Sequence, residues 1–366
     1  MAKKLKILIL AKPFGKIYPK HKAKYDFLKA IEEFAHVQYW SKNGDIRDII
    51  RKIGYIPDFI FQYDIAYGYS YTPKVWGLDQ VSIPKGAYVN DAQWSPQNRM
   101  RYFEQNRIDI IFSTYKYGFL SRYPKFKSKF RWLPYSINPQ VTKDWGANKE
   151  IDFLFMGQID PRYPFRAAVV DRMKGISGFK YYSHRNNAPL PKNMKLNEEF
   201  SKEINRSKIF FTCGSIFKYA VLKFFEAPGS RTLLLAEPNQ DILDLGFKDG
   251  ENFVACNQDN FYEKAMYYLE NEEERERITQ NGYEFIHTFH TNRVRAQQFV
   301  KNIQDFLKTL PAKKKKMLPQ PKHEANARNW ALNQKRQTNA RHWTINQKRQ
   351  TENSNWNVYR IDKKQN

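Results

Sequence analysis

Short apolar runs alternate with longer amphipathic segments through the first 140 residues of the chain. The runs are rich in β-branched and aromatic residues, as buried strands are. They lie at 5–11, 37–40, 58–63, 86–90, 108–113 and 130–134. Segments 20–34 and 45–53 between them place apolar residues at helical spacing. Strands buried on both faces and separated by helices predict a doubly wound parallel sheet.

The same pattern restarts after a break at 139–149. Further apolar runs lie at 151–157, 178–183, 208–214, 232–237 and 251–256. Helices are predicted from about Pro164, near 196–204 and from about Phe217, and long helical segments close the region up to 310. The chain is therefore predicted to be α/β, with two Rossmann-like domains, 1–140 and 150–310. Two such domains face a cleft at the carboxyl ends of their strands, where ligands bind in open sheets.

The segment 311–366 has a different composition. A charged linker with prolines is followed by two copies of a 13-residue repeat, at 326–338 and 339–351, and a decayed third copy. Fourteen Lys and Arg against three acids give this segment a net charge of +11, out of +25 for the chain. It is too poor in apolar residues for a core of its own, so we predict a disordered basic tail with, at most, weak contact to an anionic surface or polymer.

The remaining composition bears on compartment and partners. Two cysteines, Cys213 and Cys256, cannot form a disulfide framework, which fits a reducing compartment. No run approaches the roughly 20 apolar residues of a membrane span. We expect a cytoplasmic protein, peripheral to the inner face of the membrane if it meets one, and its positive charge implies anionic partners.

One acidic residue, Glu226, interrupts the apolar run of "LKFFEAPGSRTLLLAEP". Leu222 and Glu226 are one helical turn apart, so the carboxylate lies close to a core-facing side. On spacing alone, the alternative is a glutamate at a helix end that reaches into solvent.

This block closely resembles the carboxy-terminal half of GT-B glycosyltransferases. The resemblance rests on "KFFEAPGSRTLLLAEPNQDILDLGFKDGENFVAC" and "NEEERERITQNGYEFIHTFHTNRVRAQQF", with "YVNDAQW" and "WLPYSINP" in the first half, and it extends from about Lys4 to Phe306. The type it resembles is the retaining group-1 enzymes, in their branch of CgeB-like spore-maturation proteins. It implies a GT-B architecture and a hexosyltransferase-like enzyme, which moves a sugar from a nucleotide diphosphate donor to a hydroxyl-bearing glycan or glycoconjugate.

The resemblance also implies a role for Glu226. The matching carboxylate of the family accepts hydrogen bonds from the ribose hydroxyls of the donor, and Lys223 matches the basic residue that precedes the family's Phe-Glu pair. Two positions depart from the pattern, because Lys218 stands where group-1 enzymes place a second Glu, and Arg231 stands where the turn ends in Gly. Either residue could neutralise diphosphate or simply be solvated, and Lys218 is assigned to the donor site.

The loop after the strand at 151–157 supplies further positive groups. Gly157 lets backbone approach a ligand, while Arg162 and Arg166 flank the start of the next helix, whose amides favour anions. Both arginines are predicted donor-site residues, with a solvated helix face as the alternative.

Asp91 follows the strand at 86–90, where catalytic and acceptor-binding residues belong in this fold. It is the candidate to orient or deprotonate an acceptor hydroxyl. The alternative for Asp91 is a helix N-cap, but Ser95 is better placed to cap the helix at Pro96. Gly15, after the first strand, is a weaker acceptor-side candidate.

No His, Cys or acidic cluster has metal-ligand spacing, and no Asp-x-Asp pair is present. We therefore expect catalysis without a metal or other cofactor. Two other functions remain open: a non-catalytic nucleotide- or glycan-binding protein on a degenerate GT-B scaffold, and a nucleic-acid-binding protein that uses the basic tail.

Overall fold

The computed structural model describes residues 4–184 and 194–310. Within these ranges the chain forms two α/β halves, each built on a parallel sheet. The fold class predicted from the sequence is confirmed for this part of the chain. The predictions for the tail and its repeats lie outside the described residues.

The first half contains the N-terminal sheet. The strands of this half are β1 (Lys6–Leu10), β2 (His36–Trp40), β3 (Gly44–Asp45), β4 (Phe59–Gln62), β5 (Val75–Trp76), β6 (Lys85–Val89), β7 (Ile110–Ser113) and β8 (Phe130–Trp132). In the described chain, six of them form the sheet in the order β2-β1-β4-β6-β7-β8, all parallel, and β3 pairs with β5. All six predicted strands of this half are confirmed.

Helices cover both faces of this sheet. They are α1 (Phe14–Ile17), α2 (Lys22–Ala30), α3 (Ile46–Ile53), the irregular turn α4 (Ala66–Tyr69), α5 (Pro96–Gln105) and α6 (Lys116–Arg122). Local sequence explains the bounds of α3: the Asp45 carboxylate accepts a hydrogen bond from the Arg47 amide (2.8 Å), and Gly54 ends the helix in the left-handed region at φ 77°.

The second half contains the C-terminal sheet. Its strands are β9 (Ile151–Gln158), β10 (Phe179–His184), β11 (Ser207–Thr212), β12 (Leu233–Ala236) and β13 (Val254–Ala255), and its order over the described residues is β10-β9-β11-β12-β13, all parallel. Its helices are α7 (Pro164–Met173), α8 (Glu198–Asn205), α9 (Lys223–Gly229), α10 (Gln240–Asp244), α11 (Phe261–Glu270) and α12 (Glu272–Phe289). The prediction of a helix from Phe217 is wrong, because α9 begins six residues later and 214–222 is a loop.

The last helix, α13 (Asn292–Thr309), leaves the second half and packs on the first. The Phe299 ring is buried between Phe61 and Phe112 of the N-terminal sheet, with ring centroids 4.8 and 4.7 Å away. The sequence prediction assigned this helix to the domain 150–310, and its core contacts are with the other sheet. The domain boundaries themselves stay a prediction.

The carboxyl ends of the two sheets face each other. Tyr115 follows β7 and stacks flat on Tyr219 of the 214–222 loop, with ring centroids 3.9 Å apart and an interplanar angle of 8°. A Cβ at Gly118 would lie 2.4 Å from the same Tyr219 ring, so only glycine fits there. This contact fixes the loop that leads into α9 against the N-terminal half.

Candidate active site

Two cationic side chains meet over Gly157, near the carboxyl end of β9. A Cβ on Gly157 would lie 3.1 Å from Lys223 Cε and 3.4 Å from Arg166 Nη1. Lys223 is the first residue of α9, and Arg166 is the third residue of α7. Glycine at 157 therefore leaves the space in which both side chains approach the strand end.

Arg166 is buried, with 3% of its surface exposed. Its guanidinium donates to the backbone carbonyls of Gln158 (3.2 Å) and Cys213 (3.3 Å), at the ends of β9 and β11. It also stacks on the Tyr163 ring at 3.8 Å, and its Nε has no partner among the described residues. The solvated-face alternative for Arg166 is therefore wrong.

Arg162 differs from Arg166 because its charge is already compensated. Its guanidinium forms an ion pair with Asp160 (2.7 Å) and remains 36% exposed. Hydrogen bonding to Asp160 raises the pKa of Arg162 and holds the pKa of Asp160 at about 2. The predicted role of Arg162 in donor binding stays a prediction.

Lys223 is half-buried and forms no hydrogen bond or ion pair with any described residue. Its ammonium lies 5.5 Å above the Phe200 ring. Burial and, after it, the nearby charge of Arg166 lower the pKa of Lys223 to about 8, although Glu226 opposes both effects. Lys223 is thus a half-buried cation that contacts no counter-ion among the described residues.

Glu226 lies in the first turn of α9, one turn from Lys223. It is half-buried, and its carboxylate has no hydrogen-bond partner among the described residues. Burial raises the pKa of Glu226 to about 7, and Lys223 partly opposes the shift. The helix ends at Gly229, three residues after Glu226, and Glu226 is half-buried, so the alternative of a helix-end glutamate that reaches fully into solvent is not supported.

Lys218 lies outside the helix on which it was predicted. It is exposed, in the 214–222 loop, with a left-handed backbone at φ 53°. Its charge acts on Glu237, which follows β12: burial raises the pKa of Glu237 and Lys218 lowers it. Sequence reasoning missed Glu237, although an acid directly after the strand "LLLA" marks the carboxyl edge of a parallel sheet.

Arg231 lies at the other edge of the C-terminal sheet. It precedes β12, and its guanidinium pairs with Asp144 (2.8 Å). This position, at the amino ends of the strands, does not support the diphosphate interpretation of Arg231.

Asp91 follows β6 at the carboxyl edge of the N-terminal sheet. Its carboxylate accepts a hydrogen bond from the Tyr67 hydroxyl, and the Tyr67 ring stacks on Trp94 with centroids 5.2 Å apart. Ser95 occupies the N-cap position of the helix at Pro96, as predicted, but its side chain forms no capping hydrogen bond and its backbone is left-handed at φ 47°. The charge of Asp91 also acts on the pKa values of Arg162, Tyr163 and Tyr219, three residues of the second half.

A buried ion pair that sequence reasoning missed holds the Asp91 backbone. Asp64, fully buried after β4, pairs with Arg99 (2.6 Å) and accepts a hydrogen bond from the Asn90 amide (2.9 Å). Arg99 Nη1 donates to the Asp91 carbonyl (2.7 Å). The signal available in the sequence was again an acid just after a buried strand.

Gly15 lies in the short helix α1, not in a loop. A Cβ there would lie 2.8 Å from Tyr25 Cβ, within the first half. Packing against Tyr25 accounts for this glycine, and the structure brings it no polar group of the site. Its acceptor-side role stays a prediction.

No group of three or more His, Cys, Asp or Glu among the described residues is placed to hold a metal ion. No helix among the same residues is both long and apolar enough to cross a membrane.

Comparison with known proteins gives a partial family match. Residues 144–301 match the family model described as "Glycosyl transferase-like", which is less than half of the chain. No curated protein sequence matches.

Solved structures match at low identity. Sucrose-phosphate synthase from Thermosynechococcus elongatus matches with TM-score 0.57 and 10% identity, over 84% of this chain and 100% of that one. HepE from Anabaena, in complex with UDP and glucose, matches with TM-score 0.54 and 9% identity, over 82% of this chain and 100% of that one. The GtfA/B complex matches with TM-score 0.49 and 12% identity, over 72% of this chain, and this chain spans 60% of that one. The described chain therefore has the GT-B fold of glycosyltransferases, and its residues 144–301 match a glycosyl transferase-like family.

Proposed function

We propose that the protein transfers a sugar from a nucleoside diphosphate donor to a hydroxyl acceptor. The observation that carries this proposal is the meeting of Lys223 and Arg166 over Gly157, beside Glu226, at a sheet edge that faces Asp91. Two cations and one carboxylate, none with an ion-pair partner among the described residues, match the chemistry of a nucleotide: an anionic diphosphate and a ribose diol.

On the donor side, Lys223 and Arg166 bind the diphosphate. Arg166 is fixed by the carbonyls of Gln158 and Cys213, so its charge is pre-organised, and positive charge at this position stabilises the leaving diphosphate as the glycosidic bond breaks. Glu226 accepts hydrogen bonds from the two ribose hydroxyls, since charge-assisted hydrogen bonds are roughly twice as strong as neutral ones.

On the acceptor side, Asp91 orients the attacking hydroxyl and takes up its proton. Tyr67 fixes one carboxylate oxygen by its hydrogen bond, and Arg99 holds the backbone of the same residue. In this proposal the reaction is metal-independent, with Lys223 and Arg166 supplying the positive charge. It retains the anomeric configuration, as in the family the sequence resembles, because the hydroxyl attacks C1 from the same face that the diphosphate leaves.

The biological setting belongs to the same proposal. We assign the reaction to polysaccharide or glycoconjugate assembly, with a hexose donor, in the cytoplasm or at the inner face of the membrane. HepE is solved with UDP and glucose, which makes UDP-glucose the first donor to test.

A second function is favoured by one observation. Lys218 is exposed at the position where the resembled family has a glutamate, and its charge acts on Glu237. A scaffold that had lost its donor-sugar carboxylate would bind a nucleotide or glycan without turnover.

One experiment separates these two functions. Purified full-length protein is titrated with UDP by calorimetry and incubated with UDP-glucose and other nucleotide sugars while UDP release is measured. Nucleotide binding with slow donor hydrolysis, accelerated by an acceptor, supports the enzyme. Binding with no UDP release from any donor supports the binding protein, and no binding of any nucleoside diphosphate overturns both.

A further inference from the structure

A cleft with about 320 Å³ of empty space, adjoining open solvent included, is lined mostly by the first half of the chain, with Leu222 and Arg295 contributed from later positions. Its walls include Lys24, Tyr63, Tyr88, Tyr135, Leu222 and Arg295. Tyr135 donates a hydrogen bond to the side chain of Asn90 (2.9 Å), the residue before Asp91. Leu222 directly precedes Lys223, so the cleft borders both candidate groups.

The charged side chains in the lining of this cleft are cationic. Two of the described residues that line it are cationic, Lys24 and Arg295, and none is acidic. The rest are aromatic, apolar or neutral. A ligand that fits these walls therefore carries negative charge next to an apolar or sugar-like face.

Arg295 is buried, with 6% of its surface exposed, and has no carboxylate partner among the described residues. Its guanidinium donates to neutral acceptors: Gln298 Oε1 (2.7 Å), His290 Nδ1 (2.8 Å) and the Phe289 carbonyl (3.3 Å). Its Nε has no partner in the described chain. A buried guanidinium without a counter-ion is costly, and a bound anion would offset that cost.

Lys24 stands out among the lysines of its own helix. On α2, Lys22 pairs with Asp26 (2.7 Å) and Lys29 pairs with Glu32. Lys24 forms no hydrogen bond or ion pair with any described residue, and its ammonium lies 5.4 Å above the Tyr135 ring. The lysines of α2 that do not line the cleft are therefore paired with carboxylates, and the lysine that lines it has no partner among the described residues.

We propose that this cleft is an oxyanion subsite for the acceptor, in which Lys24 and Arg295 bind a carboxylate or phosphate group of the molecule that is glycosylated. The inference rests on the proposed function, since it names the chemical class of acceptor for the same site. Tyr135 and Tyr88 provide the face on which the remainder of that acceptor packs.

The test uses two sugars that differ in one group. Full-length protein, with saturating UDP, is titrated with glucuronate and with glucose, and in parallel with inorganic phosphate against chloride at equal ionic strength. Glucuronate and phosphate are expected to bind and to raise the melting temperature, whereas glucose and chloride are not. The Lys24→Gln variant should weaken glucuronate and phosphate binding by about tenfold or more.

The control is Lys29→Gln on the same helix, which should leave both affinities unchanged because Lys29 is exposed and paired with Glu32. Equal binding of glucuronate and glucose, or no binding of either with UDP bound, overturns the subsite. So does competition between phosphate and UDP together with an equal loss of UDP affinity in Lys24→Gln, because the cleft would then hold the donor's diphosphate.

Failure of the proposed function is distinguishable from failure of the subsite. If the protein binds no nucleoside diphosphate, the donor proposal fails, while the phosphate titration without UDP still measures the cleft. Phosphate binding that is lost in Lys24→Gln and kept in Lys29→Gln then supports an oxyanion site, and phosphate binding that is equal in both variants overturns it.

Discussion

The two edges of the C-terminal sheet differ in how their charged side chains are paired. At the amino edge, cations have partners: Lys208 pairs with Asp152 (2.7 Å), and Arg231 pairs with Asp144 (2.8 Å). At the carboxyl edge, Arg162 pairs with Asp160 (2.7 Å), but the side chains of Lys223 and Glu226 have no partner among the described residues.

The N-terminal sheet repeats this difference with carboxylates. At its amino edge, Asp109 accepts a hydrogen bond from the Lys85 amide (2.9 Å) and so holds two neighbouring strands together. At its carboxyl edge, Asp91 is held by one tyrosine hydroxyl and faces the other half. Both carboxyl edges also hold paired charges, Asp64 with Arg99 and Asp160 with Arg162. Stability alone favours pairing of enclosed charges, so Lys223 and Glu226, which lack a partner in the described chain, are the groups whose pairing a ligand would complete.

The largest effect is expected from the aspartates of the N-terminal sheet. Asp91→Asn should reduce sugar transfer by about 10² to 10⁴-fold, the usual contribution of a general base, while UDP affinity stays unchanged. Asp109→Asn at the amino edge should leave turnover unchanged and lower only the melting temperature. Turnover at saturating donor and calorimetry with UDP measure the two quantities, and full turnover in Asp91→Asn would remove that residue from catalysis.

The second-largest effect, on UDP binding, is expected from one of two cations at the edges of the C-terminal sheet, Lys223 and Arg231. Lys223→Met should weaken UDP binding by about 10 to 100-fold, the scale of losing hydrogen bonds to a charged group. Arg231→Met should leave UDP binding unchanged and cost at most about 1 kcal/mol of stability, because its ion pair is partly exposed. Calorimetry at two salt concentrations checks both, and equal losses in the two variants would mean that the edges do not differ in function.

A smaller effect is expected at Glu226. If this carboxylate binds the ribose, the wild-type protein should prefer UDP over 2′-deoxy-UDP by about tenfold, and Glu226→Gln should lose most of that preference. The comparison of two ligands in one variant separates a lost contact from a general loss of fold. A preference that survives in Glu226→Gln would assign the ribose to other groups.

The smallest expected effect is the dependence of UDP affinity on pH. Donor binding needs Glu226 ionised and Lys223 protonated, and burial holds their pKa values at about 7 and about 8. UDP affinity should therefore be highest between these values, fall as pH drops below about 7 because Glu226 gains a proton, and fall above about 8 because Lys223 loses one. The acid limb should disappear in Glu226→Gln and the alkaline limb in Lys223→Met; a flat profile in the wild type would contradict both assignments.

Sequence patterns were sufficient to predict the main strands of both sheets. Every predicted strand is present because runs such as 110–113 are apolar on both faces and end in a clear change of polarity. The carboxyl-edge position of Asp91 followed from the same reasoning, because the end of a parallel strand can be read from its own residues.

The loop at 214–222 could not be predicted in this way. Its apolar residues suggest a helix, but Ser215 and Lys218 adopt left-handed backbones, and Tyr219 packs on Tyr115 and Gly118 of the other half. Contacts between residues about 100 positions apart leave no local periodicity. The ion pair between Arg231 and Asp144 could not be predicted for the same reason, because the two residues are 87 positions apart.

The return of α13 to the N-terminal sheet has a consequence for synthesis on the ribosome. The first half emerges long before residues 292–309, yet Phe299 packs against Phe61 and Phe112 and is buried there. The nascent N-terminal sheet therefore keeps part of its apolar face open to water until about three hundred residues have been made. At synthesis rates of about 5 to 20 residues per second, that interval is some ten seconds or more, in which chaperones can bind the exposed face.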